Sequence, residues 1–334
     1  MPAWQEKESY MGYRYVVTAP GQGVQRPGML HPWLEAVPGA WEQIDSWSRA
    51  AGFDLLRAGD DEALLADTAY AQPLIVAVSV LAHQLLRSRL PAFPDTILYA
   101  GHSVGELSAA AGAGHLGAAE AVSLARVRGA VMSQACRATP TGMAAVMPSK
   151  RAGAGDDELV AAVEAMGVTI ANFNGSHQFV AAGPANLIAA LADAPPTGTR
   201  VAPLNVAGAF HTEAMTPAVE AFDRAVNEAD FVQPASDLLG NGDGALVANS
   251  DELRRRLITQ LVSPVRWDLC GHTIARLAPD ALHIELAPAG PLTRLLARAR
   301  PEARAIALAG PDDIDRVLAE ADADLHAPEP AGAR

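Results

Sequence analysis

Cysteine is almost missing from this chain: Cys136 and Cys270 are the only two in 334 residues. Two thiols so far apart exclude a disulfide framework and a cysteine zinc site, and buried free thiols are expected instead. A basic excess is missing too. The formal charge of -13 argues against a nucleic-acid surface, which needs clustered positive charge. No apolar run reaches the roughly 20 residues that span a bilayer. The longest, 73–86, is interrupted by Ser79, His83 and Gln84. Residues 1–15 are polar and aromatic, with no apolar segment of the secretory kind. A cytoplasmic protein with no membrane and no nucleic-acid partner is expected. No internal repeat occurs.

Half of the residues are apolar, enough for a substantial core in one large domain or two modest ones. Within this material one pentapeptide stands out. Gly101-His102-Ser103-Val104-Gly105 follows the apolar run 96–100 and precedes the Ala-rich stretch 106–113. That is a G-x-S-x-G nucleophile elbow in the strand-turn-helix context such a motif requires. The glycines suit a sharp turn in which backbones approach closely, and Ser103 Oγ would stand exposed at a helix N-terminus. There the Val104 amide and the positive end of the helix dipole face any negative charge that develops. The same pentapeptide also suits a glycine-rich turn that merely contains a serine.

Along the chain, a first strand at 13–18 ends in Pro20-Gly21-Gln22-Gly23. A helix is expected over 63–87, broken at Pro73. A strand at 96–100, the elbow and a helix at 104–113 form one unit, followed by a helix at 117–135 that holds Arg126 and Arg128. Residues 137–206 read as strand 142–147, helix 156–166, strands 168–172 and 178–182, helix 184–193 and strand 200–205. This β-α-β-β-α-β order is the ferredoxin-like arrangement, so an inserted small domain is expected. A helix at 216–228, a strand or turn region at 237–249, a helix at 252–261 and a strand at 283–286 complete the α/β chain. The tail 322–334, rich in Ala, Pro and Glu, is expected to be disordered.

A serine is a poor nucleophile at neutral pH and needs a base within hydrogen-bond reach. His211 is the best of nine histidines, because it lies in the small-residue turn Ala207-Gly208-Ala209-Phe210-His211-Thr212 between the insert and a helix. His102 adjoins the serine, but neighbours on an elbow point apart, so it is assigned to the pocket wall or a local hydrogen bond. His115, His177 and His283 have no accompanying motif and are read as structural. The Gln22 amide can supply a second oxyanion donor beside that of Val104. Arg254-Arg255-Arg256 and the run Arg294, Arg298, Arg300, Arg304 are the candidate basic patches for an acidic partner.

Six motifs in register resemble one family. Pro20-Gly21-Gln22-Gly23, Gln72-Pro73, Gly101-His102-Ser103-Val104-Gly105-Glu106, Arg128-Gly129, Gly208-Ala209-Phe210-His211 and Pro264-Val265-Arg266-Trp267 follow the order and approximate spacing of the malonyl-CoA:acyl carrier protein transacylases. The resemblance spans 13–313. It implies an α/β-hydrolase-like large subdomain, 13–136 and 207–313, interrupted by a ferredoxin-like subdomain, 137–206, with an N-terminal extension at 1–12. It further implies that Ser103 is acylated, that His211 is its base and that the backbone carbonyl of Arg266 orients the histidine. The amides of Gln22 and Val104 would hold the oxyanion, Arg128 would bind the malonyl carboxylate, and Gln72, His102 and Phe210 would complete the substrate site. A planar guanidinium suits that role because it pairs with a carboxylate in two prongs, which lysine cannot do. Phenylalanine before the histidine goes with malonyl rather than methylmalonyl among the related polyketide acyltransferases.

Ping-pong transfer from malonyl-CoA to the phosphopantetheine thiol of holo acyl carrier protein, without metal or redox cofactor and by a monomer, is the implied function. Docking of the carrier on Arg294 and Arg298 is expected. A trans-acting polyketide acyltransferase, a serine hydrolase or thioesterase and a non-catalytic carrier-binding subunit are the competing readings. One departure from the family is Glu285-Leu286-Ala287-Pro288-Ala289-Gly290, where many members have Gly-Pro-Gly; it is expected to lie away from the chemistry.

Overall fold

The computed structural model describes residues 12–90, 97–149, 155–206 and 208–326. Its strands are β1 (Tyr15–Ala19), β2 (Ile97–Gly101), β3 (Thr141–Pro148), β4 (Thr169–Gly175), β5 (Gln178–Pro184), β6 (Thr199–Pro203), β7 (Asp237–Leu239), β8 (Val265–Arg266), β9 (Leu282–Glu285) and β10 (Ala305–Ala307). They form two sheets, in the orders β10-β9-β1-β2-β7 and β6-β3-β5-β4-β8. Every pairing in the first sheet is parallel. Its central strands, YVVTA and ILYAG, are buried at every position, as parallel strands covered on both faces must be.

Helices supply that cover. Four short ones, α1 (His31–Ala36), α2 (Ala40–Ala51), α3 (Leu55–Asp60) and α4 (Glu62–Leu65), lead into α5 (Thr68–Arg89), α6 (Gly105–Ala113) and α7 (Ala118–Ala138). Val17, Tyr99 and Ile284 on one face of the sheet join α5, α6 and α7 in the main core. Beyond α8 (Asp156–Glu164), α9 (Ala185–Asp193), α10 (Thr216–Glu228) and α11 (Ser250–Gln260) come α12 (Trp267–Leu277), α13 (Pro291–Ala299) and α14 (Asp313–His326). Val16, Leu98 and Leu239 on the opposite face pack on Trp267 and Ile274 of α12 and Leu292 of α13.

In the second sheet the segments run β3-α8-β4-β5-α9-β6, the order read from the sequence, with Leu159, Val163, Ile188 and Leu191 of the two helices buried against Ala144, Ile170 and Ala181. The short β8 pairs parallel to β4 through Phe173 and Arg266 and so ties the later chain to this sheet.

Three expectations change. The helix over 63–87 is broken at 66–67, where Asp67 caps α5 by accepting from the Ala69 amide at 2.9 Å, and Pro73 sits inside α5 rather than ending it. At 22 residues, α5 is also long and apolar enough to cross a membrane, contrary to the length argument, but most of its apolar part is buried in the core. Residues 322–326, expected to be disordered, are helical, because α14 continues to His326. Residues 1–11 of the expected extension and 327–334 of the tail lie outside the described residues, as do 91–96, 150–154 and Ala207. Cys136 and Cys270 are free and buried, as expected.

Candidate active site

Ser103 stands on the tight turn between β2 and α6 with φ 54°, a left-handed conformation that side chains avoid unless the surroundings enforce it. Both glycines of the pentapeptide are explained by contact. A Cβ on Gly101 would fall 2.1 Å from the Gly105 carbonyl carbon, and one on Gly105 would fall 2.3 Å from the Ala19 carbonyl oxygen of β1. Any larger residue would push strand and helix apart.

The imidazole expected to serve as base meets the serine. His211, itself at φ 61°, places Nε2 2.7 Å from Ser103 Oγ, while its Nδ1 lies 2.8 Å from the Gln260 backbone carbonyl. A carbonyl only accepts, so Nδ1 must hold the proton and Nε2 presents its lone pair to the serine hydroxyl. Burial, then the nearby Arg128 charge, push the imidazole pKa down to about 3, so it is neutral and ready to accept.

This corrects the assignment of the orienting carbonyl to Arg266. Arg266 is occupied in the β4–β8 pairing, its amide donates to the Asn241 carbonyl at 2.7 Å, and its guanidinium binds Asp268 and lies over the Phe173 ring. Gln260 is the last residue of α11, and the final carbonyls of a helix have no intrahelical donor. One of them is therefore available to His211. The signal in the sequence was the end of the expected helix, six positions before the motif residue that attracted the assignment.

Arg128 is 1% exposed. Its Nη1 donates to Gln72 Oε1 at 2.9 Å, and its Nη2 donates to Gln260 Oε1 at 2.8 Å and reaches Ser103 Oγ at 3.4 Å. The Arg128-Gly129 motif has a steric reason as well. A Cβ on Gly129 would meet the Thr68 carbonyl at 2.5 Å, so the glycine lets α7 sit on α5 and brings Arg128 to Gln72. Burial lowers the guanidinium pKa to about 10, partly offset by the Glu106 carboxylate, and the group stays charged.

Besides Gln260, two residues at this centre were not foreseen. Asn241 accepts from the Ser103 amide at 2.8 Å and donates from Nδ2 to the Gly101 carbonyl at 2.6 Å, clamping both sides of the elbow. Glu106 accepts from the Asn241 amide at 2.6 Å and from Gln260 Nε2, and burial raises its pKa to about 7. Gln260 thus meets His211, Arg128, Glu106 and the Ser103 carbonyl at once.

Ser103 and His211 open into a cleft of about 350 Å³ between the two sheets. Gln22, His102 and Phe210 line it. Gln22 anchors its side chain on Thr68 Oγ1 at 3.1 Å, and His102 bonds Asn174 Oδ1 at 3.0 Å beside Trp267. Val104 is buried directly before α6. Arg294 and Arg298 line this same cleft, and Arg298 reaches Gln178 Oε1 across it at 3.0 Å. Four of the other five arginines of the candidate patches meet acids: Arg254 with Asp251, Arg256 with Asp243 and Glu252, Arg300 with Glu302 and Arg304 with Glu320. The segment departing from the family pattern is closer to the chemistry than expected. Glu285 accepts from the amides of Leu292 and Thr293 and so fixes the start of α13, whose residues wall the cleft.

Comparison with known proteins agrees with this geometry. The acyl transferase domain family matches residues 15–267. The malonyl CoA-acyl carrier protein transacylase of Mycobacterium tuberculosis is 45% identical over 277 residues, 82% of this chain and 89% of that protein. The crystal structure of MCAT from Mycobacterium tuberculosis superposes with a TM-score of 0.85 at 43% identity, covering 91% of this chain and 99% of that one. The malonyl-CoA:acyl carrier protein transacylase from Helicobacter pylori does so with a TM-score of 0.84 at 27% identity, covering 93% and 99%. A match over most of the chain, with a relative this similar, places the protein in the acyl transferase family.

Proposed function

We propose that this enzyme moves a malonyl group from malonyl-CoA to the phosphopantetheine thiol of an acyl carrier protein, supplying fatty acid synthesis, through a malonyl ester on Ser103. The observation that supports it most is a nucleophile within reach of two different groups: Ser103 Oγ is 2.7 Å from His211 Nε2 and 3.4 Å from the buried Arg128 Nη2. A general hydrolase has no use for a buried guanidinium beside its serine, whereas a carboxylated acyl group does.

In the first half-reaction His211 Nε2 takes the hydroxyl proton as Ser103 Oγ attacks the thioester carbonyl. The amides of Gln22 and Val104 hold the resulting oxyanion. The C–S bond then breaks, and the imidazolium returns its proton to the departing CoA thiolate. The carrier thiol reverses these steps: it gives its proton to His211, its sulfur forms the new thioester, and Ser103 Oγ leaves with the proton. Arg128 holds the malonyl carboxylate in both halves, and Phe210 fills the space beside C2 so that a methyl branch is rejected. Arg294 and Arg298 guide the phosphates of both substrates along the cleft.

The parallel sheet with its elbow serves as an α/β-hydrolase-like subdomain, 13–136 and 207–313, and the second sheet, in the order β6-β3-β5-β4, as a ferredoxin-like insert, 137–206, supported by its β-α-β-β-α-β order. The protein acts as a cytoplasmic monomer.

Intact-protein mass spectrometry after incubation with malonyl-CoA tests the reading. A single malonyl adduct should form, vanish on adding holo carrier protein, and be absent in Ser103→Ala. Steady release of free malonate without transfer would make the protein a hydrolase.

A further inference from the structure

Glu106, the second residue of α6, is 1% exposed, and no step of the proposed chemistry uses it. Burying a carboxyl is costly unless its oxygens are bound, and both are. Oε1 accepts from the Asn241 amide at 2.6 Å, and Oε2 accepts from Gln260 Nε2. The two partners lead in different directions. Asn241 clamps the elbow through the Ser103 amide and the Gly101 carbonyl, whereas Gln260 accepts from Arg128 Nη2 at 2.8 Å.

The Gln260 side chain fits only one way round. A guanidinium only donates, so Oε1 must face Arg128. The NH2 group then faces three acceptors: Glu106 Oε2, the Ser103 carbonyl at 3.2 Å and Asn241 Oδ1 at 3.3 Å. Arg128 Nη1 is held by Gln72, so Nη2, the nitrogen that reaches Ser103 Oγ at 3.4 Å, takes its place from Gln260.

We infer that Glu106 is a positioning residue for acyl selection: by accepting from the Gln260 amide it turns Gln260 Oε1 toward Arg128 and so sets Arg128 Nη2 beside Ser103, where a malonyl carboxylate is received. The inference rests on the proposed role of Arg128. What the site demands at position 106 is an acceptor rather than a charge. A carboxyl oxygen accepts with or without a proton, because a carboxylic hydroxyl keeps a lone pair, but a carboxamide nitrogen only donates. In Glu106→Gln the single oxygen stays with the Asn241 backbone amide, which cannot turn over, and the new NH2 group faces that of Gln260. Gln260 then either moves off or turns its own NH2 toward the guanidinium. Arg128 loses its anchor in both cases, while the clamp on the elbow is kept.

The test is the second-order rate of Ser103 acylation by malonyl-CoA and by acetyl-CoA, followed by intact-protein mass spectrometry in variants whose circular dichroism matches the wild type. Glu106→Gln should lower the malonyl-to-acetyl ratio at least about tenfold, the loss of one hydrogen bond to a charged group. Equal losses for the two donors would make Glu106 a residue of the fold alone and overturn the inference. Gln260→Met keeps the backbone carbonyl for His211 and removes the side-chain amide, so it should lower the same ratio. Adding Glu106→Gln to it should lower the ratio no further, because Glu106 acts through Gln260; additive losses would overturn the inference as well. If Glu106→Gln does not fold, Gln260→Met decides alone, and an unchanged ratio there overturns the inference. Arg128→Ala is the reference. A ratio that falls in Arg128→Ala but not in Glu106→Gln overturns the positioning role and leaves the proposed function standing, whereas a ratio unchanged in Arg128→Ala removes the role of Arg128 and that of Glu106 with it.

Discussion

At Ser103, the proposed mechanism makes the protonation of one neighbour decide whether the hydroxyl is a nucleophile. His211 is held neutral by burial and by the Arg128 charge, with a pKa near 3 against an ordinary 6.5. The free enzyme therefore keeps its base unprotonated throughout the neutral range, and kcat/KM for malonyl-CoA should stay level from pH 8 to 6 as His211 titrates far below. A limb centred at 6.5 in a stopped-flow pH series would mean that the imidazole titrates as if solvated. In the proposed function Arg128 binds the malonyl carboxylate, so its removal should separate substrates. Arg128→Ala deletes a buried charge-assisted pair worth about 2–5 kcal/mol, so malonyl-CoA should lose at least about thirtyfold in kcat/KM while acetyl-CoA loses much less. Equal losses for both donors would make Arg128 a structural residue. Arg128→Lys should fail as well, because one ammonium cannot reach Gln72, Gln260 and a carboxylate together. Ser103, His211 and Arg128 were legible because each sits inside a short motif. Gln260 and Asn241 were not, since each acts across more than a hundred residues of sequence on the elbow and nothing local marks them.

The elbow itself is a property of two elements, β2 and α6, pressed against β1. Gly105→Ala forces a methyl to within 2.3 Å of the Ala19 carbonyl, a backbone atom that cannot rotate away. Such overpacking costs about 1–3 kcal/mol, so the unfolding free energy of Gly105→Ala from urea titration should fall by about that much, with the midpoint moving down, and Ser103 should lose its alignment with His211. An unchanged midpoint would show that α6 is free to shift. Elements whose signal is local were readable in advance: β2 and β5, whose runs end at glycine or proline turns, and α10, found over the residues expected. The segment 31–65 escaped because Pro32, Pro38, Gly39 and Gly52 cut it into helices of 4 to 12 residues, each too short to show a clear period. Pro73 misled for a related reason. The Asp67 cap and burial on neighbouring helices keep α5 continuous across it, which propensity alone does not foresee.

For the molecule as a whole, Arg294 and Arg298 line the cleft between two sheets, which the proposed function makes the path of both substrates. Charge reversal at both positions should raise the KM for malonyl-CoA as well as for the carrier, whereas a docking patch outside the cleft would affect the carrier alone. The buried titratable groups make a second global prediction. His83, His211 and His283 are held neutral with pKa values near 4, 3 and 4, burial being the main cause in each. In the unfolded chain all three take up a proton near 6.5, so as pH falls from about 6.5 toward 4 the unfolded state binds protons the folded state refuses, and stability is lost. Glu106 runs the other way. Its pKa is raised to about 7 in the fold, so between about 7 and 4.5 the folded state holds a proton the unfolded chain releases, and that contribution is lost as pH rises through 7. These three imidazoles opposed by one carboxyl leave a net of about two protons near pH 5, and His102 and His115, also lowered by burial, act in the same direction. At about 1.4 kcal/mol per proton and pH unit, urea unfolding should show stability falling by about 3 kcal/mol or more between pH 6 and 5. His83→Gln keeps a hydrogen-bonding group for the Tyr99 hydroxyl, now 2.9 Å from the ring nitrogen, and should reduce the slope by one proton. If stability stayed level from pH 7 to 4.5, these imidazoles would have to be charged inside the fold, and the neutral base assigned to His211 would fall with them.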